Sequence, residues 1–201
     1  RVLTYEFKGG TDRLGRRVNF IPAAYDLSEI GRSLDVEPYI AQSVRKHREQ
    51  ILKESYTIIG SEASMVDYVK KRLFEISVAT GISTQQWLRS FVTNLIIYHN
   101  SYLIFRRDAD RSRGKNIRLH GKELEPIAGI FTPDPTTMKV AVDRYGTPKR
   151  WKQEMETSSS VDGKTVPRSF DVYDVVACTI DKKSGYSYGT PYILPVLDDV
   201  R

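Results

Sequence analysis

Between Ser83 and Tyr98 the apolar residues come in pairs, Trp87-Leu88, Phe91-Val92 and Leu95-Ile96, each four residues after the last. The polar pairs Gln85-Gln86, Arg89-Ser90 and Thr93-Asn94 fill the gaps. A repeat of four is close to the helical period of 3.6 and far from the strand period of 2, so the stretch predicts a helix with one apolar face. Ser83-Thr84-Gln85-Gln86 reads as a capping box, in which hydroxyl and amide each satisfy an orphan N–H. The helix would run ~24 Å. It ends at His99-Asn100, where His99 suits a helix C-terminus, a favourable place for a partial cation. Tyr102-Leu103-Ile104-Phe105 then reads as a strand.

Other elements follow from the same rules. Arg1 to Phe7 alternates as a strand or extended arm, Gly9 to Arg17 reads as loop, and Phe20-Ile21 is extended ahead of Pro22. Asp26 caps a short helix through Leu34. Asp35 caps a second, with Pro38 in its first turn and Val36, Ile40, Val44, Ile51 and Leu52 on one face. Tyr56 to Gly60 is a strand or extended link. Ser61 caps a third helix to Thr80, with Met65, Val69, Leu73 and Ile76 as its stripe and Gly81 as a left-handed stop. Strands are expected over Ile127–Phe131, Met138–Asp143 and Arg150–Met155, with Tyr145-Gly146 as a turn. Residues 157–165 form a polar loop, Phe170 to Ile180 is apolar and β-rich, Gly185 to Gly189 turns, and a helix begins near Pro191. Helices first, then an antiparallel sheet, argues for an α+β fold. Three segments are expected: residues 1–35 as an arm and short helix, 36–187 as the body, and 188–201 as the start of a further helix. Both ends fall inside such elements, as expected of a piece of a longer protein.

Composition narrows the class. The chain has 201 residues, 40% hydrophobic and 28% charged, with a formal charge of +6. These values are ordinary for a folded domain. One cysteine, Cys178, forms no intrachain disulfide, which fits a reducing compartment. No apolar run nears the ~20 residues of a membrane helix.

The search for chemistry is mostly negative. Neither G-x-x-x-x-G-K-[ST] nor a strand followed by G-x-G-x-x-G occurs, so no nucleotide-phosphate cradle is expected. His47, His99 and His120 stand singly, without the close second ligand of a zinc site. Cys178 lies in Val175-Val176-Ala177-Cys178-Thr179-Ile180, the setting of a small buried hydrophobe and not of an activated thiol. Glu123, Glu125, Asp134, Asp198 and Asp199 are the carboxylates a Mg²⁺-dependent nuclease would need. The segment Arg106-Arg107…Arg111…Arg113…Lys115 is the candidate nucleic-acid or partner contact, since arginine forks suit phosphate. Asp108 and Asp110 interleave with it and can pair with these arginines locally, which weakens that reading. No catalytic residue, cofactor or metal site is expected.

Three stretches together resemble tailed-bacteriophage portal proteins, the head-to-tail connectors. Trp87 through Leu103 is similar to that family's amphipathic helix running through "LLLYGNAYL" into a strand. Pro126 to Trp151, with Ile130-Phe131-Thr132-Pro133 and Val140-Ala141-Val142-Asp143-Arg144-Tyr145-Gly146, resembles its strand, proline turn and "V…D…G" strand. Tyr188-Gly189-Thr190-Pro191 and the apolar residues after it look like its "YG-S/T-P" turn opening a helix. The resemblance covers roughly residues 36–201. His99 stands where the family often has Gly, and Ala177-Cys178 where many relatives have His after Val-Val.

The resemblance implies a wing-like α+β body leading to a stem helix, in a protein that performs no catalysis. It implies a ring, typically of about twelve subunits, at one capsid vertex of the virion, assembled in the host cytoplasm. Double-stranded DNA would pass through the ring. The terminase large subunit, major capsid and scaffolding proteins, and tail adaptor or head-completion proteins would be partners, and no membrane would be involved. Two alternatives remain at this point: a basic scaffold or adaptor domain binding nucleic acid or protein through residues 106–115, and the Mg²⁺-dependent nuclease. Phe91→Asp places an unpaired charge in the apolar stripe and is expected to cost several kcal/mol in urea unfolding. Arg89→Ala, on the opposite face, is expected to be nearly silent; wild-type stability for Phe91→Asp would remove the stripe from the core.

Overall fold

Three two-residue strands open the described part of the computed structural model: β1 (Gly10–Thr11), paired antiparallel with β2 (Arg17–Val18), and β3 (Phe20–Ile21), which ends at Pro22. The loop expected over residues 9–17 is thus bracketed by a paired couple of residues. The structure describes residues 10–11, 17–18, 20–23, 25–53, 56–108, 116–119, 121–143, 145–155, 166–183 and 186–197. The expected arm at 1–7 and loop at 157–165 lie outside them.

Four helices follow. In α1 (Leu27–Val36) the Asp26 carboxylate accepts from the Ser28 and Glu29 N–H groups at 2.9 and 3.2 Å, as expected of an N-cap. The cap of α2 (Pro38–Leu52) is Glu37, not Asp35, which lies inside α1. Pro38 forces the residue before it out of helical geometry, so Glu37 is the extended residue, at φ −108° and ψ 102°. α3 (Ala63–Thr80) is preceded by Glu62 at the cap position in place of Ser61, and stops at Gly81 with φ 70°. In α4 (Thr84–Tyr98) the Ser83 hydroxyl accepts from Gln86 N–H at 3.2 Å.

The chain then turns to sheet. β4 (Asn100–Arg107) follows α4 directly. β5 (Ile117–Leu119) and β6 (Lys122–Leu124) form a hairpin, with Gly121 at φ 79° between them, that the sequence reading does not anticipate. β7 (Ile127–Phe131), β8 (Met138–Val142) and β9 (Pro148–Met155) stand where strands are expected. The β8–β9 turn is tied by Asp143, whose carboxylate accepts from Tyr145 and Thr147 N–H at 2.9 and 3.0 Å. The apolar stretch from Phe170 is two strands, because Asp171 caps a 3₁₀ turn at Val172–Asp174 between β10 (Val166–Asp171) and β11 (Val175–Thr179). A four-residue α5 (Leu194–Leu197) begins the expected last helix.

The two main sheets have orders β10-β9-β8-β3 and β11-β4-β7, with every pairing antiparallel. The fold is α+β. Tyr102 and Ile104 of one sheet meet Met138, Val140 and Trp151 of the other in the main core, where the Tyr102 and Trp151 rings lie 5.1 Å apart. Side chains of this size contribute roughly 1.5–3 kcal/mol each when buried. A second cluster joins Leu27 and Ile30 of α1 to Ile97 and Tyr98 of α4 and to Ile193 and Leu194.

The apolar stripes of α2 and α3 depart from expectation. Val36 and Ile51 are 73% and 59% exposed, and Met65 at the start of α3 is 56% exposed. Ile76 is the buried residue of α3. Among the described residues α3 packs on β7 and α4.

Candidate functional site

The three portal-like stretches meet at one joint. α4 ends on His99, which takes the left-handed conformation at φ 53°. This is the corner where the resembling family often carries Gly, and the positive φ is the reason glycine suits it. Asn100, fully buried, turns its side chain onto Gly189: Nδ2 donates to Gly189 O at 3.3 Å, and Gly189 N–H donates to Oδ1 at 2.8 Å. The same Nδ2 donates to Tyr98 O at 2.6 Å.

Gly189 is required by space. A Cβ there would sit 2.3 Å from both His99 O and Ile180 O. Ile180 N–H donates to His99 O at 2.9 Å, so the backbones cross at this point. Tyr188, 3% exposed, reaches into the other sheet: its hydroxyl donates to Ile21 O at 2.6 Å and accepts from Val140 N–H at 3.2 Å. Burial pushes its pKa well above the usual phenol value. The Thr190 hydroxyl pairs with Tyr25 Oη at 3.0 Å, and Pro191 is fully buried. Every residue of Tyr188-Gly189-Thr190-Pro191 therefore has a physical task, and the tasks join α4, β3, β4, β8 and the approach to α1.

His99 itself is buried, in edge-to-face contact with Tyr192 at 4.3 Å between ring centres. Its Nδ1 lies 3.4 Å from Asp181 Oδ2, outside good hydrogen-bond geometry. Loss of water lowers its pKa, against the opposing pull of Asp181. The helix end expected to favour a partial cation is offset here, because burial lowers the His99 pKa despite Asp181 and the Thr190 backbone. An apolar groove of about 480 Å³ opens beside it, lined by Leu34, Ile40, Val44, Leu95, Ile180 and Ile193 among others.

The basic candidates separate. Arg107 is held inside the fold: Nε donates to Asp174 Oδ1 at 2.6 Å, Nη1 to Glu125 O at 2.8 Å and Nη2 to Tyr173 O at 2.8 Å. That fork locks β4 to the 3₁₀ turn before β11. Arg106 is exposed on β4. Arg111, Arg113 and Lys115 lie outside the described residues. Lys122 is paired with Asp171 at 2.6 Å.

Among the described residues, the carboxylates named for a nuclease (Glu123, Glu125 and Asp134) do not gather. Glu123 accepts from Asn116 Nδ2 at 2.7 Å, and Asp134 caps the turn at Pro135–Thr137. Asp198 and Asp199 lie outside the described residues. Among the described residues no three His, Cys, Asp or Glu side chains form a group able to hold a metal ion. No described helix is long and apolar enough to cross a membrane. Cys178 is half-buried on β11. The Asn100–Gly189 and Tyr188 contacts had no signal in spacing or composition, since the partners lie 89 and 167 residues apart.

Three outcomes follow from this geometry. Gly189→Ala is expected to destabilise by at least about 3 kcal/mol, read by chemical unfolding, because backbone and not a flexible side chain occupies the space. Arg107→Ala is expected to lower stability by about 2–4 kcal/mol by leaving Asp174 unpaired, whereas Arg106→Ala leaves it unchanged. His99 has its pKa depressed in the folded state, so the unfolded chain takes up the proton first. Stability should be complete above about pH 6.5 and fall as pH drops below it, and His99→Asn, which tolerates the left-handed corner, should flatten that slope. An unchanged slope in the variant would assign the pH dependence elsewhere.

No family model matches the chain, and no curated protein matches it. Among solved structures it is similar to a chain described as "Virion of native gene transfer agent (GTA) particle", with a TM-score of 0.61 and 14% identity. The match covers 94% of this chain and 44% of that one. At this identity the likeness is one of fold, and the chain spans less than half of the neighbour's length.

Proposed function

We propose that this chain is part of a portal subunit, a structural virion protein that forms a ring at one capsid vertex. In this reading the ring is the channel for double-stranded DNA during packaging and ejection, and the docking point for terminase and tail. Copies of the chain perform no reaction; the motor that docks on the ring supplies the work.

The observation that carries the reading is the convergence at Asn100, Val140, Tyr188 and Gly189. Three separate weak resemblances would be easy to meet by chance. Stretches that bond to one another across the fold behave as one unit, so their joint presence has a single physical cause. The fold likeness to a virion chain supports the same class of protein. The charge pattern is compatible as well: Arg107 and Lys122 are paired with Asp174 and Asp171. A wall that held phosphate tightly would arrest moving DNA, so neutralised cations suit a conduit.

Electron-microscope images of the intact protein test the reading. Closed rings with a central hole are the expected result. A strictly monomeric protein that never incorporates into capsids would overturn it.

A further inference from the structure

Among the described residues, two that are not glycine take the left-handed conformation: His99 at φ 53° and Asp181 at φ 51°. The same two residues face each other. His99 Nδ1 lies 3.4 Å from Asp181 Oδ2, although most of the sheet strands separate them along the chain. Left-handed backbone is easiest for glycine and, among the rest, for Asn, Asp and His. Glycine would turn either corner with the least strain, and Asn would turn both without charge. The chain instead places there two side chains able to share a proton.

Both corners belong to the joint of the three portal-like stretches. Ile180 N–H donates to His99 O at 2.9 Å, so the chain leaving β11 crosses the end of α4 directly before Asp181. The His99 ring is 3% exposed, and its Nδ1 has no hydrogen-bond partner. The Asp181 side chain is 43% exposed, so water reaches the carboxylate side of the pair. Two acceptors face the ring, the Asp181 carboxylate and the Thr190 backbone. A neutral imidazole has one N–H and serves one acceptor, whereas an imidazolium has two and serves both. The neutral ring therefore leaves one polar contact of the joint unmade.

The neighbours single out the acid that acts. Tyr192 meets the ring edge to face, and its hydroxyl bonds the same Asp181 carboxylate. His47 of α2 lines the groove beside the ring, with its own Nδ1 on Ser43 O at 2.8 Å. Lys182 and Lys183 follow Asp181 on the exposed turn. Asp181 is the one carboxylate among these groups. Burial works against a charged ring and the carboxylate works for it, so the pair sets how strongly protonation is resisted.

We infer that His99 and Asp181 form a proton-operated latch on this joint. Uptake of a proton at His99 closes the 3.4 Å gap into a charge-assisted hydrogen bond of ~2.7–2.9 Å and adds one tie between the end of α4 and the turn after β11. The latch stands whether or not copies of the chain assemble. It is tested by a double-mutant cycle of His99→Asn and Asp181→Asn in the full chain, read by urea unfolding in low salt at pH 8 and pH 5. Asn tolerates both corners, and pH 5 lies above the range in which free carboxylates take up protons. The expected coupling between the two positions is at least about threefold in the unfolding equilibrium constant at pH 5, and it falls away at pH 8. Equal coupling at both pH values would reduce the pair to a packing contact and overturn the latch, as would no coupling at pH 5. A second readout needs no unfolding: in Asp181→Asn the His99 ring resonances, followed by NMR, should titrate with a midpoint at least about half a pH unit lower. An unmoved midpoint would also overturn the latch. His47→Gln should leave both readouts unchanged, and loss of the coupling in that variant would transfer the effect to α2.

Discussion

The crossing of backbones at Gly189 is the constraint on which the rest depends. Two carbonyl oxygens, of His99 and Ile180, occupy the space a side chain would need. Only with hydrogen there can Asn100 reach both polar groups of Gly189. That contact fixes where Tyr188 enters the core, and the Tyr188 hydroxyl then ties β3 and β8 to the helical half through Ile21 and Val140. Buried polar groups are costly unless paired, so such a joint is satisfied as a set or fails as a set.

This joint also explains why the two sheets share a core without sharing a strand. Tyr102 and Trp151 approach from different sheets, and Tyr188 belongs to the same core cluster. The helices are held less evenly. α1 and α4 are clamped by Leu27, Ile30, Ile97 and Tyr98, whereas α2 has no buried residue and α3 has Ile76 alone. The molecule has a firm sheet-centred half and a helical half with much of its apolar surface uncovered.

Charge plays a smaller part than composition suggests. The formal excess is +6. Arg107 spends its fork on Asp174 and two carbonyls. Lys139 and Lys152 both pair with Glu154. Among the described residues these pairs lie on the inner strands β4, β8 and β9 and tie them to their neighbours.

Local rules determined much of the chain by themselves. The period of α4, the caps at Asp26 and Ser83, the stop at Gly81 and strands β7 to β9 depend on neighbours a few residues away, and sequence displays those neighbours directly. The misplaced caps at Asp35 and Ser61 are errors of one or two residues, where Pro38 or tertiary packing chose the boundary. The β5–β6 hairpin was missed because its strands are short and, apart from Leu124, exposed, without a strong alternation. Tertiary structure alone decided the lowered pKa of His99, the structural duty of Arg107, the Asn100–Gly189 pairing and the exposure of much of α3. Each depends on groups far apart in the chain, and spacing holds no information about which distant carbonyl, carboxylate or apolar face will arrive beside a residue once the chain has folded.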